Sequence, residues 1–254
     1  MLIDTHTHLY AEEFSEDIGH VIQNAIEADV NRLLLPDIDS SSRPGMLELH
    51  KKFPDVCLPM VGLHPTSVKN DYRSELENIN KIISEYKFYG IGETGIDLYW
   101  DKTYYQEQVD SFIFHIELAL KYDLPLVIHS RKSLNEVFSI LKKFSHKKLK
   151  GVFHCFPGNI REAHQAIEMG FYLGIGGVVT YKNAAMAEVV KYFDLQHIVL
   201  ETDAPYLTPV PFRGKRNESS YIAIIAGAIS QLKNLSIQAV AEQTTANAKE
   251  LFRL

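Results

Sequence analysis

Cysteine is nearly missing from this sequence: Cys57 and Cys155 are its only two, they lie far apart, and neither belongs to a C-x-x-C pair. That excludes a disulfide-stapled scaffold and a thiolate metal ribbon, and suits two free thiols in a reducing compartment. Long apolar runs are missing too. No window approaches the ~20 apolar residues of a membrane span, and MLIDTHTHLY lacks the basic and apolar regions of a secretory signal. A cytoplasmic protein with no membrane partner is the expectation. Positive charge is in deficit, with 26 Lys and Arg against 32 Asp and Glu and a formal net charge of -6. Bulk attraction to nucleic acid is thereby disfavoured, so any affinity for phosphate must be local. No Pro-, Gly- or Ser-rich linker, low-complexity tract or charge block divides the chain, which reads as one domain over residues 1–254.

Apolar residues are plentiful, at 46% against 23% charged, enough for a sizeable core without staples. Eight short apolar runs read as strands: LIDTH from Leu2, RLLLPDI from Arg32, LPMVGLH from Leu58, YGIGETG from Tyr89, PLVIHS from Pro125, GVFHCF from Gly151, YLGIGG from Tyr172 and IVLETD from Ile198. Their continuous, β-branched character suits strands buried on both faces. Helical stripes lie between them, at Ile18, Val21, Ile22, Ala25 and Ile26, at Leu76, Ile79, Ile82 and Ile83, at Val109, Phe112, Ile113, Ile116 and Leu120, and at Leu134, Val137, Phe138 and Leu141. Strand starts recur about every 21 to 36 residues, the length of a βα unit. Eight units predict an α/β protein with a (β/α)8 TIM-barrel fold; a doubly wound sheet is disfavoured because no G-x-G-x-x-G follows the first strand.

In such a barrel the C-terminal strand ends carry the chemistry. His6 and His8 close the first run and, two apart on an extended chain, project to one side; Glu93, His129, His154 and Asp203 close the fourth, fifth, sixth and eighth. A single histidine is usually a satisfied core or surface residue. Six such groups converging on one rim without a cation would carry a desolvation penalty of several kcal/mol per ionised group. Imidazole with carboxylate suits Zn²⁺, Mn²⁺, Fe or Mg²⁺, and six ligands exceed what one tetrahedral cation needs. Two divalent metal ions sharing Glu93, which comes from a middle strand, is the expectation.

Together IDTHTHL, GLHP, GETGID, LPLVIHSRKS, HCFPG, TYKNA, ETDAPYLTP and RGKRN resemble the TatD-related deoxyribonuclease family, a branch of the amidohydrolase-like metal-dependent barrels. The resemblance runs from Ile3 to Leu251. It implies that His6, His8, Glu93 and Asp203 hold one metal and Glu93, His129 and His154 the other. It also implies hydrolysis of phosphodiester bonds, typically 3′→5′ from DNA ends, with Mg²⁺, Mn²⁺ or Zn²⁺ as compatible cations. Pro157 in HCFPG stands where the family commonly has serine, and no proline follows Asn217-Glu218; neither change removes a ligand.

Water on such a metal has a pKa near 7, giving hydroxide at neutral pH, and Asp203 is the expected proton carrier. Glu201, on the same strand parity as Asp203, is expected to orient a ligand or the attacking water. His64 resembles a substrate-contacting residue of the family. Arg213, Lys215 and Arg216, just beyond the last strand, are expected to bind phosphate, with Arg131 a second candidate. Tyr99, Trp100 and Tyr104 after the fourth strand are candidates for base stacking, although aromatics in such loops are as often packing. Asn247 reads as a structural tie for the C-terminal helix. DNA or a short oligonucleotide is the substrate this reading favours. The same residues would also serve hydrolysis of an aminoacyl-tRNA ester or a small-molecule amide or lactone, because fold does not fix substrate. A catalytically silent barrel that only binds a partner should have lost a ligand, and none is lost.

Overall fold

The computed structural model describes residues 1–254. The apolar runs form eight strands, β1 (Leu2–Asp4), β2 (Val30–Leu35), β3 (Cys57–Pro59), β4 (Ile91–Asp97), β5 (Leu126–Arg131), β6 (Gly151–Phe153), β7 (Phe171–Ile175) and β8 (Ile198–Leu200). A helix follows each in turn: α1 (Ile18–Glu27), α2 (Arg43–Lys52), α3 (Tyr72–Ile82), α4 (Tyr105–Tyr122), α5 (Leu134–Lys142), α6 (Ile160–Glu168), α7 (Ala185–Tyr192) and α8 (Ile222–Lys233), before a final α9 (Ile237–Phe252). The four helical stripes fall on α1, α3, α4 and α5. No helix is long and apolar enough to cross a membrane.

All ladders are parallel, in the orders β1-β2-β3 and β4-β5-β6-β7-β8. Backbone bonds join the two groups at both junctions. Gly92 N donates to Val61 O (2.8 Å) and Val61 N to Gly90 O (3.1 Å), while Thr5 N donates to Leu200 O (3.0 Å) and Asp203 N to His6 O (2.9 Å). The result is the (β/α)8 barrel.

Leu33, Leu35, Leu126, Ile128, Leu173, Ile198 and Leu200 pack outward into the helix layer, in one large cluster with residues such as Val21, Ile79, Phe112 and Ile225. The alternate positions Ile3, Leu34, Leu58, Val127, Val152 and Val199 form a second, smaller cluster with Ala248, Leu251 and Phe252 of α9. Those strand residues face the barrel axis, and α9 closes the end away from the ligand segments. The Asn247 amide, nearly fully buried, donates to Leu195 O and Ile198 O at 2.7 Å each, tying α9 to the entry of β8.

The strands are shorter than their apolar runs. β1, β3, β6 and β8 span three residues each, so His6, His8, His154, Glu201 and Asp203 lie just beyond the ladders, where chain direction is free to converge on one point. Glu93 does not end β4 as expected; it lies inside that strand, where the register with β5 shifts, and Asp97 ends it.

Asn247→Ala should remove both hydrogen bonds, leaving the Ile198 carbonyl short of a donor while Leu195 O keeps that of Ile198 N, and destabilise the fold by roughly 1–3 kcal/mol. Urea unfolding measures it; a change below about 0.5 kcal/mol, the range of neutral surface substitutions, would show that the amide does not anchor α9.

Candidate metal centre

Strand parity places the ligands. With Val127, Val152 and Val199 facing inward, the next inward positions are His129, His154 and Glu201. Asp203, two residues further, adopts a left-handed backbone (φ 59°), as does Cys155 (φ 40°), conformations that concentrate at functional sites. Gly95, between Glu93 and Asp97, has a φ of 139°, and a Cβ there would overlap the His129 carbonyl, so glycine is required for β4 and β5 to approach here. The chain bends after Asp4, whose carboxylate accepts from Thr202 N (2.9 Å), Thr202 Oγ1 (2.5 Å) and His6 N (3.3 Å). This buried junction sets His6 and His8 against Asp203.

The donors fall into two groups that share one carboxylate. His6 Nε2 lies 3.0 Å from Glu93 Oε2, 3.2 Å from His8 Nε2 and 3.7 Å from Asp203 Oδ1; His8 Nε2 lies 3.6 Å from Glu93 Oε2 and 3.5 Å from Asp203 Oδ1. Four donors held tetrahedrally at about 2.1 Å from a cation are about 3.4 Å apart, so these separations fit one. Glu93 Oε1 faces the other group: His129 Nδ1 at 2.8 Å, His64 Nε2 at 3.4 Å and His154 Nε2 at 3.5 Å. The donor set suits divalent cations beside Glu93, with mutually close triads at His6, His8 and Asp203, at His6, Glu93 and His154, and at His64, Glu93 and His129.

The outer nitrogens of three of these imidazoles are held by further residues. The Tyr10 hydroxyl donates to Pro36 O, so its lone pair accepts Nδ1–H of His8 (3.0 Å), leaving His8 Nε2 free as a ligand. Asp97 Oδ2 lies 3.0 Å from His129 Nε2, and Glu201 Oε1 lies 3.1 Å from His154 Nδ1 while accepting from Cys155 N (2.5 Å). Such contacts fix ring orientation and tautomer. His64 differs: its Nδ1 accepts from Thr66 N (3.2 Å), so its Nε2 carries the hydrogen and points a donor into the site. That suits contact with a substrate oxygen better than ligation.

Burial raises the Glu93 pKa, but the imidazoles of His154, His64 and His6 outweigh it and hold the carboxyl well below its usual range. Burial opposes charge on His154, yet Glu201, Glu93 and Asp203 push its pKa up to about 10. Burial likewise opposes charge on His129, and the hydrogen bonds to Asp97 and Glu93 raise its pKa nonetheless. In protein stripped of metal, His154 therefore holds a proton at neutral pH that a cation must displace.

A cavity of about 630 Å³ opens over these donors, walled by His64, Trp100, Arg131, Pro157, Tyr206 and Leu207 among others. Arg131 is among the residues that line it. The basic loop does not line it. Arg216 is spent on Asp17 through two contacts (2.8 and 2.7 Å) and lies over the Phe14 ring, which corrects its assignment to phosphate: it is a structural clamp between the β8–α8 loop and the start of α1. Arg213 stacks on Tyr181, 4.4 Å from the ring centre, and Lys215 is exposed; both stand outside the cavity wall. Trp100 lines the cavity, whereas Tyr104 packs under Lys69. Tyr10 and Asp97 were not anticipated. Asp97 shares strand parity with Glu93, a signal available in GETGID, but nothing local marks Tyr10.

Binding of Mn²⁺ or Zn²⁺ at pH 7 should release at least one proton per chain, and affinity should rise with pH towards the His154 pKa of about 10. Calorimetry in buffers of differing ionisation enthalpy measures the release; binding heats independent of buffer would contradict it.

The model of the TatD related DNase family matches residues 3–253. YabD of Bacillus subtilis, described as an uncharacterized metal-dependent hydrolase, is 38% identical over 255 residues covering all of both chains. YcfH of Escherichia coli K12, similarly described, is 30% identical over all of this chain and 96% of its own. The crystal structure of YjjV, a TatD homologue from Escherichia coli K12, superposes with a TM-score of 0.93 at 26% identity, covering 100% of this chain and 98% of that one. With its donors converging on the barrel rim and these relatives matching along its whole length, the chain belongs to the TatD related DNase family of metal-dependent hydrolases.

Proposed function

We propose that this protein hydrolyses phosphodiester bonds, acting as a 3′→5′ deoxyribonuclease on DNA ends or short oligonucleotides. The observation that carries the reading is the division of the Glu93 carboxylate, Oε2 toward His6 and His8 and Oε1 toward His129 and His154, beneath a cavity with Arg131 in its wall. Two sites flanking one carboxylate suit a reaction in which attacking and leaving oxygens both need stabilising. His6, His8, Glu93 and Asp203 would hold one divalent ion, and Glu93, His129 and His154 the other. When bound, such a pair supplies acidification of water and neutralisation of phosphate charge.

The chain's own groups carry the remaining steps. Burial raises the Asp203 pKa, but His154, His8 and His6 bring it below its ordinary value, so the carboxylate is ionised at neutral pH and able to accept the proton of the attacking water. It then returns that proton to the leaving oxygen. His64 Nε2–H donates to a phosphate oxygen, and Arg131 offers a planar fork to the same phosphate. Glu201 and Asp97 keep His154 and His129 in register while this happens. Arg213 and Lys215, exposed and outside the cavity wall, would meet phosphates further along a strand.

The metal-loaded protein should cleave 3′-ended oligonucleotides in preference to aminoacyl-tRNA and lactones, and Asp203→Asn should lower kcat by roughly 10²–10⁴. A substrate panel with both proteins checks this. Turnover of lactones or aminoacyl esters alone sinks the nuclease reading, and unchanged kcat in Asp203→Asn removes Asp203 as proton carrier.

A further inference from the structure

We infer that Trp100, backed by Arg131 and Tyr99, is a stacking platform for a nucleobase of the substrate. The inference rests on the phosphodiesterase reading and names the part of the substrate it recognises beyond the phosphate. Trp100 is 68% exposed and Tyr99 52%, although indole and phenol surfaces of this size normally bury themselves. They are nevertheless held in place. Asp97 Oδ1 accepts from Tyr99 N (2.8 Å) and Trp100 N (3.1 Å), fixing the backbone that carries both rings. The rings meet edge to face with centres 5.0 Å apart, and the Arg131 guanidinium lies 4.0 Å from the Tyr99 centre and 5.1 Å from that of Trp100.

The platform is indexed to the metal centre by one carboxylate. Asp97 Oδ2 lies 3.0 Å from His129 Nε2, so the group that orients a metal-ligating imidazole also sets the aromatic loop. Trp100 and Arg131 line the same cavity as Glu93 and Asp203. A phosphodiester held over the donors therefore projects its neighbouring nucleoside toward a preformed aromatic surface. Stacking of this kind tolerates every base, because each has a π-face, so the platform favours nucleic acid over base-free phosphodiesters without reading sequence.

Trp100 is the only tryptophan, so intrinsic indole fluorescence reports on it alone. The test uses metal-loaded protein and two polymers of equal length: oligo-dA and a fully abasic chain of tetrahydrofuran phosphodiesters. On rapid mixing, oligo-dA should quench the fluorescence and the abasic chain should not. Trp100→Ala should raise KM for oligo-dA by about tenfold or more, with kcat little changed, and leave KM for the abasic chain unaltered. If both polymers are cleaved and Trp100→Ala shifts both KM values equally or neither, stacking is overturned while the phosphodiesterase reading stands. If neither is cleaved but oligo-dA alone quenches, the base site stands and the phosphodiesterase reading fails. No cleavage and no quenching overturns both.

Discussion

The rim of this barrel is organised by the cost of burying one carboxylate. Glu93 is 2% exposed, and an unpaired charge at such depth carries a penalty of several kcal/mol. Five imidazoles surround it, with nitrogens between 2.8 and 3.6 Å from its two oxygens. The arrangement is satisfied only when positive charge sits among those rings, as protons or as cations. The pKa is raised on His154 and His129, the two rings that have further carboxylates behind them. The barrel thus concentrates a demand for positive charge at one spot of a chain whose net charge is -6.

Around this centre lies a ring of residues that touch the ligands' far sides. Tyr10, Asp97 and Glu201 each hold one imidazole by its outer nitrogen, and Asp4 pins the loops after β1 and β8 together. Asp97 has a double duty, since its second oxygen builds the aromatic loop beside the cavity. Geometry at the metal centre and shape at the substrate wall are therefore linked through one side chain. A change at Asp97 would be felt at both.

Much of this was legible in the sequence because the information is local. Apolar runs of the right length mark strands, 3.6-residue stripes mark helices, and a histidine or acid at the end of the first, fourth, fifth, sixth and eighth runs marks the rim. What was not legible depends on partners remote along the chain. Arg216 looked like a phosphate ligand from its neighbours Arg213 and Lys215; its actual partner, Asp17, is 199 residues away. Tyr10 acquires its role only because Pro36 O accepts the hydrogen bond of its hydroxyl. Strand ends were overestimated at β1, β6 and β8 because His6, His154 and Asp203 follow their apolar runs with no turn residue between, while leaving the ladder in space. Glu93 was assigned to the end of its strand because the register shift beside it leaves no trace in composition.

The central claim is that Glu93 is shared between two cations, and anomalous diffraction from crystals grown with Mn²⁺ or Zn²⁺ tests it most directly. The account predicts two peaks roughly 3.5 to 4 Å apart, one between His6, His8 and Asp203 and the other between His129 and His154, with Glu93 contacting both. A single peak at saturating metal, or peaks away from Glu93, would contradict it.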